Sequence, residues 1–255
     1  MRCGAFFVFA KGLPKPETLF VSTDRRGAFS RIEMILIIFV LAMLFAVLIP
    51  QLVRANRAAK LATCRDNLKQ VVLAHLIYLN DHEFCLFPGQ ISTNEGGTME
   101  YLQSGELFLH FMRFTNEFGQ SAKPKVLVCP SDDREAAKSF ESLSNANLSY
   151  FVNGDIERVC GQGPPEPLPR VQGAIALGDR NVTNGTGPTI LTVTVANTNR
   201  LSWNNNRMHN KERNASQPSV GNVALADGSV QTLTSTQLQQ AFTFTWPEKR
   251  RLILP

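Results

Sequence analysis

The chain has 255 residues, 44% of them hydrophobic, and a formal net charge of +5, enough for one membrane helix and one further domain of ordinary size. Residues 1–28 hold five of the Lys/Arg residues and two of the acids, so the remainder carries only +2; without a clustered basic face, nucleic acid is excluded as a partner. The five cysteines are widely and irregularly spaced, unlike the ligand spacing of a zinc finger.

The first informative segment is Arg25-Arg26-Gly27-Ala28-Phe29-Ser30-Arg31-Ile32-Glu33, followed by an apolar run over 34–53 broken only by Gln51. That run is long enough to span a bilayer. A carboxylate at the leading edge of such a helix is costly, and Glu33 makes sense if it has a partner. A cut between Ala28 and Phe29 would create an α-amine about one helical turn from Glu33. In an assembled bundle, the amine of one subunit and the carboxylate of its neighbour would attract strongly in low dielectric. An ordinary secretory signal places its small residues after the apolar run, the reverse of the order here. A plain signal anchor with an incidental Glu33 is the simpler alternative.

The segment resembles the class III signal peptide of type IV pilins and type II secretion pseudopilins. Ala28, Phe29, Ser30, Ile32 and Glu33 carry the likeness, and Pro50 stands where that family often places a helix-bending proline. Ala28 replaces the usual Gly, and Arg31 replaces an apolar residue. The resemblance implies a leader over 1–28, processing at Ala28 and Phe29 by a prepilin peptidase that also methylates Phe29, and an assembly role for Glu33. It implies a single-pass inner-membrane helix over 29–53 and a periplasmic pilin-like domain over 54–255. Partners would be other pseudopilin subunits and the secretion assembly machinery.

Past Pro50, residues Leu61, Cys64, Leu68, Val71, Val72, His75 and Leu79 recur at three- and four-residue steps. This predicts one helix from about 29 to 79 with an amphipathic second half. His75 falls on the apolar stripe and reads as a satisfied core histidine. A second helix is expected over 102–118, and a short buried strand over 125–129. Asp132 has the spacing of a helix cap with Glu135; an Asp132/Asp133 metal or acid–base pair is the alternative. Strands are expected over 149–152, 174–177 and 189–195, with a stiff proline-rich loop over 161–169. Residues 220–226 and 229–233 flank Asp227-Gly228 as a hairpin. A short helix over 235–242 and an edge strand over 252–254 complete an α+β fold, a long N-terminal helix packed on a β-rich head.

Val128-Cys129-Pro130-Ser131-Asp132, Gly178-Asp179-Arg180-Asn181 and the run from Gly221 to Val230 look like a planctomycete- and verrucomicrobia-type pseudopilin family, as does Cys64-Arg65-Asp66-Asn67-Leu68-Lys69-Gln70. Its signature is a His, nine residues and Asp-Gly; here His209 precedes Asp227 by eighteen positions. A preserved His209–Asp227 pair is therefore not expected, and His209 is expected to matter little for stability.

For catalysis, the four histidines (His75, His82, His110, His209) show neither a nucleophile elbow nor a His-Glu-x-x-His spacing. Asp179, His209 and Asp227 might converge as a metal or acid–base cluster, but turn carboxylates doing backbone work are the simpler reading. The expectation is a non-enzymatic subunit with no cofactor and no metal. Cys64, Cys85, Cys129 and Cys160 are either bridged or buried as thiols. The competing class is a signal-anchored periplasmic carbohydrate-binding or other binding module, with Trp203 and Trp246 as stacking platforms or core residues.

Overall fold

The computed structural model describes residues 30–84, 86–119, 123–156, 174–183, 190–194, 198–204, 207–210, 218–243 and 249–255. The chain divides into two compact units, Met1–Pro50 and Gln51–Pro255. Helix α1 (Arg31–Asp81) begins in the first and ends in the second.

In the first unit, Ser30 caps α1: its hydroxyl accepts from the Ile32 N–H at 3.2 Å, and Glu33 lies in the first turn. A carboxylate there complements the positive end of the helix dipole. Beyond Glu33 the helix is apolar on every side and exposed throughout this unit. An 18-residue stretch of α1 reaches a mean hydropathy of 3.1, long and apolar enough to cross a membrane. Pro50 lies inside α1, which runs on through it, although proline donates no backbone hydrogen bond.

In the second unit, α1 buries one stripe: Cys64, Leu68, Val71, Val72, Ala74, His75, Tyr78 and Leu79. This is the face that the three- and four-residue spacing predicts. Two short helices follow, α2 (Met99–Ser104) and α3 (Leu107–Met112), in place of the single expected helix over 102–118. Gly105 separates them with a left-handed φ of 78°, a conformation that ends a helix, and residues 113–118 form turns.

The strands are β1 (Tyr150–Asn153), β2 (Ile175–Asp179), β3 (Val182–Thr183), β4 (Ile190–Thr194), β5 (Ser202–Trp203), β6 (Val220–Leu225), β7 (Val230–Thr234) and β8 (Lys249–Ile253). Six of them form an antiparallel sheet in the order β4-β8-β1-β2-β6-β7, and β3 pairs with β5. Strand β8 lies between β4 and β1 rather than at an edge; at this end of the sheet β4, not the last strand, is the edge. The expected strand over 125–129 is instead a 3-10 turn, Pro124–Leu127, with proline at its start. Val126, Leu127, Val128 and Cys129 are buried as expected, but Lys125 is exposed and the backbone joins no sheet.

Both faces of the sheet are covered, which is why β1, β2 and β6 read as continuous buried runs rather than clean alternations. On one face Tyr150, Val152, Ala176, Leu177 and Ala224 join the α1 stripe in a single core with Leu102, Leu107 and Phe111. On the other, Phe151, Ile175, Val223, Leu225 and Leu252 pack with Trp203 and with Leu238 and Phe242 of α4 (Ser235–Thr243). Trp203 is thus a core residue; Trp246 and the proline-rich loop lie outside the described residues.

No helix follows Asp132. Its carboxylate takes a two-pronged ion pair from Arg180 at 2.6 and 2.7 Å and a hydrogen bond from the Ser149 hydroxyl at 2.7 Å. Burial works against this charge, but Arg180 and Ser149 outweigh it and hold the carboxyl below its usual range. Asp132 therefore ties the Cys129 turn to the end of β2, and neither the cap nor an Asp132/Asp133 catalytic pair is formed.

The hairpin between β6 and β7 turns at Gly228, whose φ is 83°. Its N–H donates to the Leu225 carbonyl and its own carbonyl accepts from Lys69 Nζ of α1 at 2.6 Å. A Cβ at this position would stand 2.9 Å from Leu76 Cδ1. Gly228→Val should therefore destabilise by more than the roughly 1 kcal/mol of a conformationally compatible glycine change, whereas Gly228→Asn, which tolerates positive φ, should cost less. Thermal melts of the two variants beside the parent check this, and equal melting temperatures for Val and the parent would reject it.

Candidate functional site

Four separate pieces of chain bring polar side chains to one point inside the head. Cys64 comes from the buried stripe of α1, and Cys129 from the turn that precedes Pro130. Asp179 ends β2, and His209 sits in the 3-10 turn Met208–Asn210. Cys64, Cys129 and Asp179 are fully buried, and the His209 side chain is 3% exposed.

The contacts are close. His209 Nε2 is 3.2 Å from Asp179 Oδ2 and 3.5 Å from Cys129 Sγ, and Cys64 Sγ is 3.4 Å from Asp179 Oδ1. Around them, the Asn222 N–H of β6 donates to Asp179 Oδ2 at 2.6 Å, and Asn222 Nδ2 lies 3.3 Å from His209 Nε2. Thr232 of β7 donates to Asn222 Oδ1 at 2.7 Å, fixing that amide. The Ser131 N–H donates to Cys129 Sγ, and the Tyr150 hydroxyl is 3.7 Å from Cys64 Sγ.

Burial disfavours the His209 imidazolium, but the hydrogen bonds to Asp179 and Cys129 outweigh it and raise its pKa to about 10. Burial likewise opposes a thiolate at Cys129, yet hydrogen bonds with Cys64 and His209 bring it down to about 7. Cys64 is pushed up, chiefly by burial. The two thiols are thus inequivalent. The cluster is not a nucleophile–base–acid relay, because such a relay uses opposite nitrogens of the imidazole for nucleophile and carboxylate. Here Cys129 and Asp179 both face Nε2.

The sequence-based grouping was right about Asp179 and His209 and wrong about their third member. Asp227 is exposed, and its Oδ1 accepts from the Ser229 N–H within the hairpin. Asp179, taken for a turn carboxylate, is a buried partner of His209, a contact that bears on the expectation that His209 matters little for stability. The cysteines were weighed separately from both. Cys64 and Cys129 are free thiols here, while Cys85 and Cys160 lie outside the described residues. So do Ala28 and Phe29; Glu33 is exposed in the first turn of α1.

A second buried polar group lies in the α1–α3 core. His75 Nδ1 meets the Val71 carbonyl at 2.8 Å, His75 Nε2 meets His110 Nε2 at 2.9 Å, and His110 Nδ1 meets the Thr98 hydroxyl at 2.7 Å. A carbonyl only accepts, so His75 carries its proton on Nδ1 and accepts at Nε2. His110 then carries its proton on Nε2 and accepts from Thr98. Every site is satisfied with both rings neutral, as expected of a core histidine. Burial lowers the pKa of His75 to about 4 and, with the neighbouring His75, pushes His110 well down.

For a histidine kept neutral on folding, the unfolded chain takes up protons first as pH falls below about 6.5, so stability is lost on acidification. Between pH 7 and 5 each of the two should cost about 1–2 kcal/mol. Urea melts at pH 7, 6 and 5 should show that slope, and the His75→Leu/His110→Leu double variant should flatten it. An unchanged slope in the double variant would remove these residues as its source. No family model, no curated protein and no solved structure matches this chain.

Proposed function

We propose that the chain is a pseudopilin-like structural subunit of a type II secretion or type IV pilus-like assembly, without enzymatic activity of its own. Its apolar helix would sit in the inner membrane, with the head on the periplasmic side. The observation that carries this reading is α1 itself: a 51-residue helix with an acid in its first turn, apolar and exposed at the start, its later residues bearing a buried stripe. The acid in the first turn can pair with a neighbouring subunit's amine as well as with the helix dipole, and an ordinary soluble helix is much shorter. A prepilin peptidase cutting after Ala28 would leave Phe29 as the mature N-terminus, one turn from Glu33. The amine of one subunit would then neutralise the carboxylate of its neighbour.

Intact mass of the protein from its own membranes should show a chain beginning at Phe29, methylated on nitrogen. A start at Met1 would instead favour a signal anchor carrying a binding module. A cut beyond Pro50 would indicate an ordinary secreted protein.

Glu33→Val should insert in the membrane at least as well as the parent, since a charge is removed from an apolar helix, yet fail to assemble. Chemical crosslinking of membranes from both strains reads this directly. Equal ladders of crosslinked species would rule out the Glu33 pairing.

A further inference from the structure

We infer that Cys64, Cys129 and His209 are the protein ligands of a structural zinc site in the head, with the Asp179 carboxylate beside it. This goes beyond the assembly reading and stands whether or not the chain enters a fibre. Cys64 Sγ, Cys129 Sγ and His209 Nε2 all lie within 4.8 Å of one another. A tetrahedral zinc ion, with Zn–S of about 2.3 Å and Zn–N or Zn–O of about 2.0 Å, has edges of roughly 3.5 Å between sulfur and nitrogen or oxygen, and roughly 3.3 Å between nitrogen and oxygen. The Cys129 Sγ–His209 Nε2 separation is 3.5 Å, matching such an edge, while Asp179 approaches with a different oxygen on each side, Oδ1 3.4 Å from Cys64 Sγ and Oδ2 3.2 Å from His209 Nε2.

The proton accounting points the same way. The Nε2 of His209 has one proton at most to offer both Asp179 and Cys129. The Asn222 amide approaches the same nitrogen as a further donor. A cation at the centre satisfies both sulfurs and the imidazole nitrogen at once. Two thiolates and an imidazole suit zinc, whereas hard oxygen-seeking ions would not select them. The surroundings are those of a supported site: the Ser131 N–H on Cys129, and the Asn222 N–H on Asp179 with Thr232 behind it. On binding, Zn2+ displaces the thiol protons and any proton on His209 Nε2 to solvent, so no oxidant or reductant takes part. The ion would join α1, the Cys129 turn and the His209 turn, elements far apart in the chain.

The test uses the full chain in detergent, reduced and stripped with a chelator, then supplied with Zn2+ or Co2+ alone. One ion per chain should survive desalting, the melting temperature should rise with Zn2+, and the Co2+ form should show thiolate-to-metal charge-transfer absorption. Cys129→Ser and His209→Gln should each weaken retention at least about tenfold, while Asp227→Ala, at the exposed hairpin, should retain the ion fully. If the variants fail to fold, the Co2+ spectrum of the parent still decides. Two results would overturn the proposal: less than a tenth of an ion per chain with both thiols free, or a Cys64–Cys129 disulfide in protein isolated from membranes without reductant.

Discussion

The head is organised by one contact, the laying of a single apolar stripe of α1 across an antiparallel sheet. Cys64, Leu68, Val71, Val72 and Leu79 share a core with Tyr150, Val152, Leu177 and Ala224, and each fully buried large apolar side chain contributes on the order of 1.5–3 kcal/mol. The helix can bury only this face, because Arg65, Asp66 and Lys69 lie outside the stripe and are exposed. The sheet must then find a second cover for Phe151, Val223 and Leu225. Helix α4 and Trp203 supply it. The bond from Lys69 to the Gly228 carbonyl fixes the β6–β7 hairpin to the same helix.

What could be read in advance follows from range. The long helix, its stripe, the β6–β7 hairpin and α4 depend on neighbours three, four or two residues away, and periodicity and turn chemistry reveal them. The failures came where hydrophobicity alone was used. Residues 126–129 are as buried as a strand, but Pro124 starts a tight turn there; residues 102–118 are apolar enough for one helix, but Gly105 divides them. The position of β8 inside the sheet depends on pairings more than fifty residues away, which no local pattern encodes.

The cysteine–histidine–aspartate cluster was illegible for the same reason in stronger form. Cys64, Cys129, Asp179 and His209 are separated by dozens of residues, and each sits in an unremarkable local context. His209 was read against Asp227 through the His-x9-Asp-Gly signature, and its convergence with Asp179 was set below a turn role for the carboxylates; the fold brings His209 to Asp179 and leaves Asp227 in its hairpin. Only the fold places an α1 residue, a loop residue and a strand end together. The one clue available was an even set of cysteines in a segment expected to lie outside the cytoplasm, and that clue argued equally for a bridge.

The two buried polar groups differ in kind. At His209 the single Nε2 faces the Asp179 carboxylate, the Cys129 sulfur and the Asn222 amide at once, and cannot serve all three. In the Thr98–His110–His75–Val71 chain each donor finds one acceptor, and the count closes. That closure has a direction. Because the Val71 carbonyl has no proton to return, the order of the three hydrogen bonds has a single permitted sense for neutral rings. The chain is a wire with one end sealed: it locks both imidazoles in defined tautomers and orientations, and it conducts nothing.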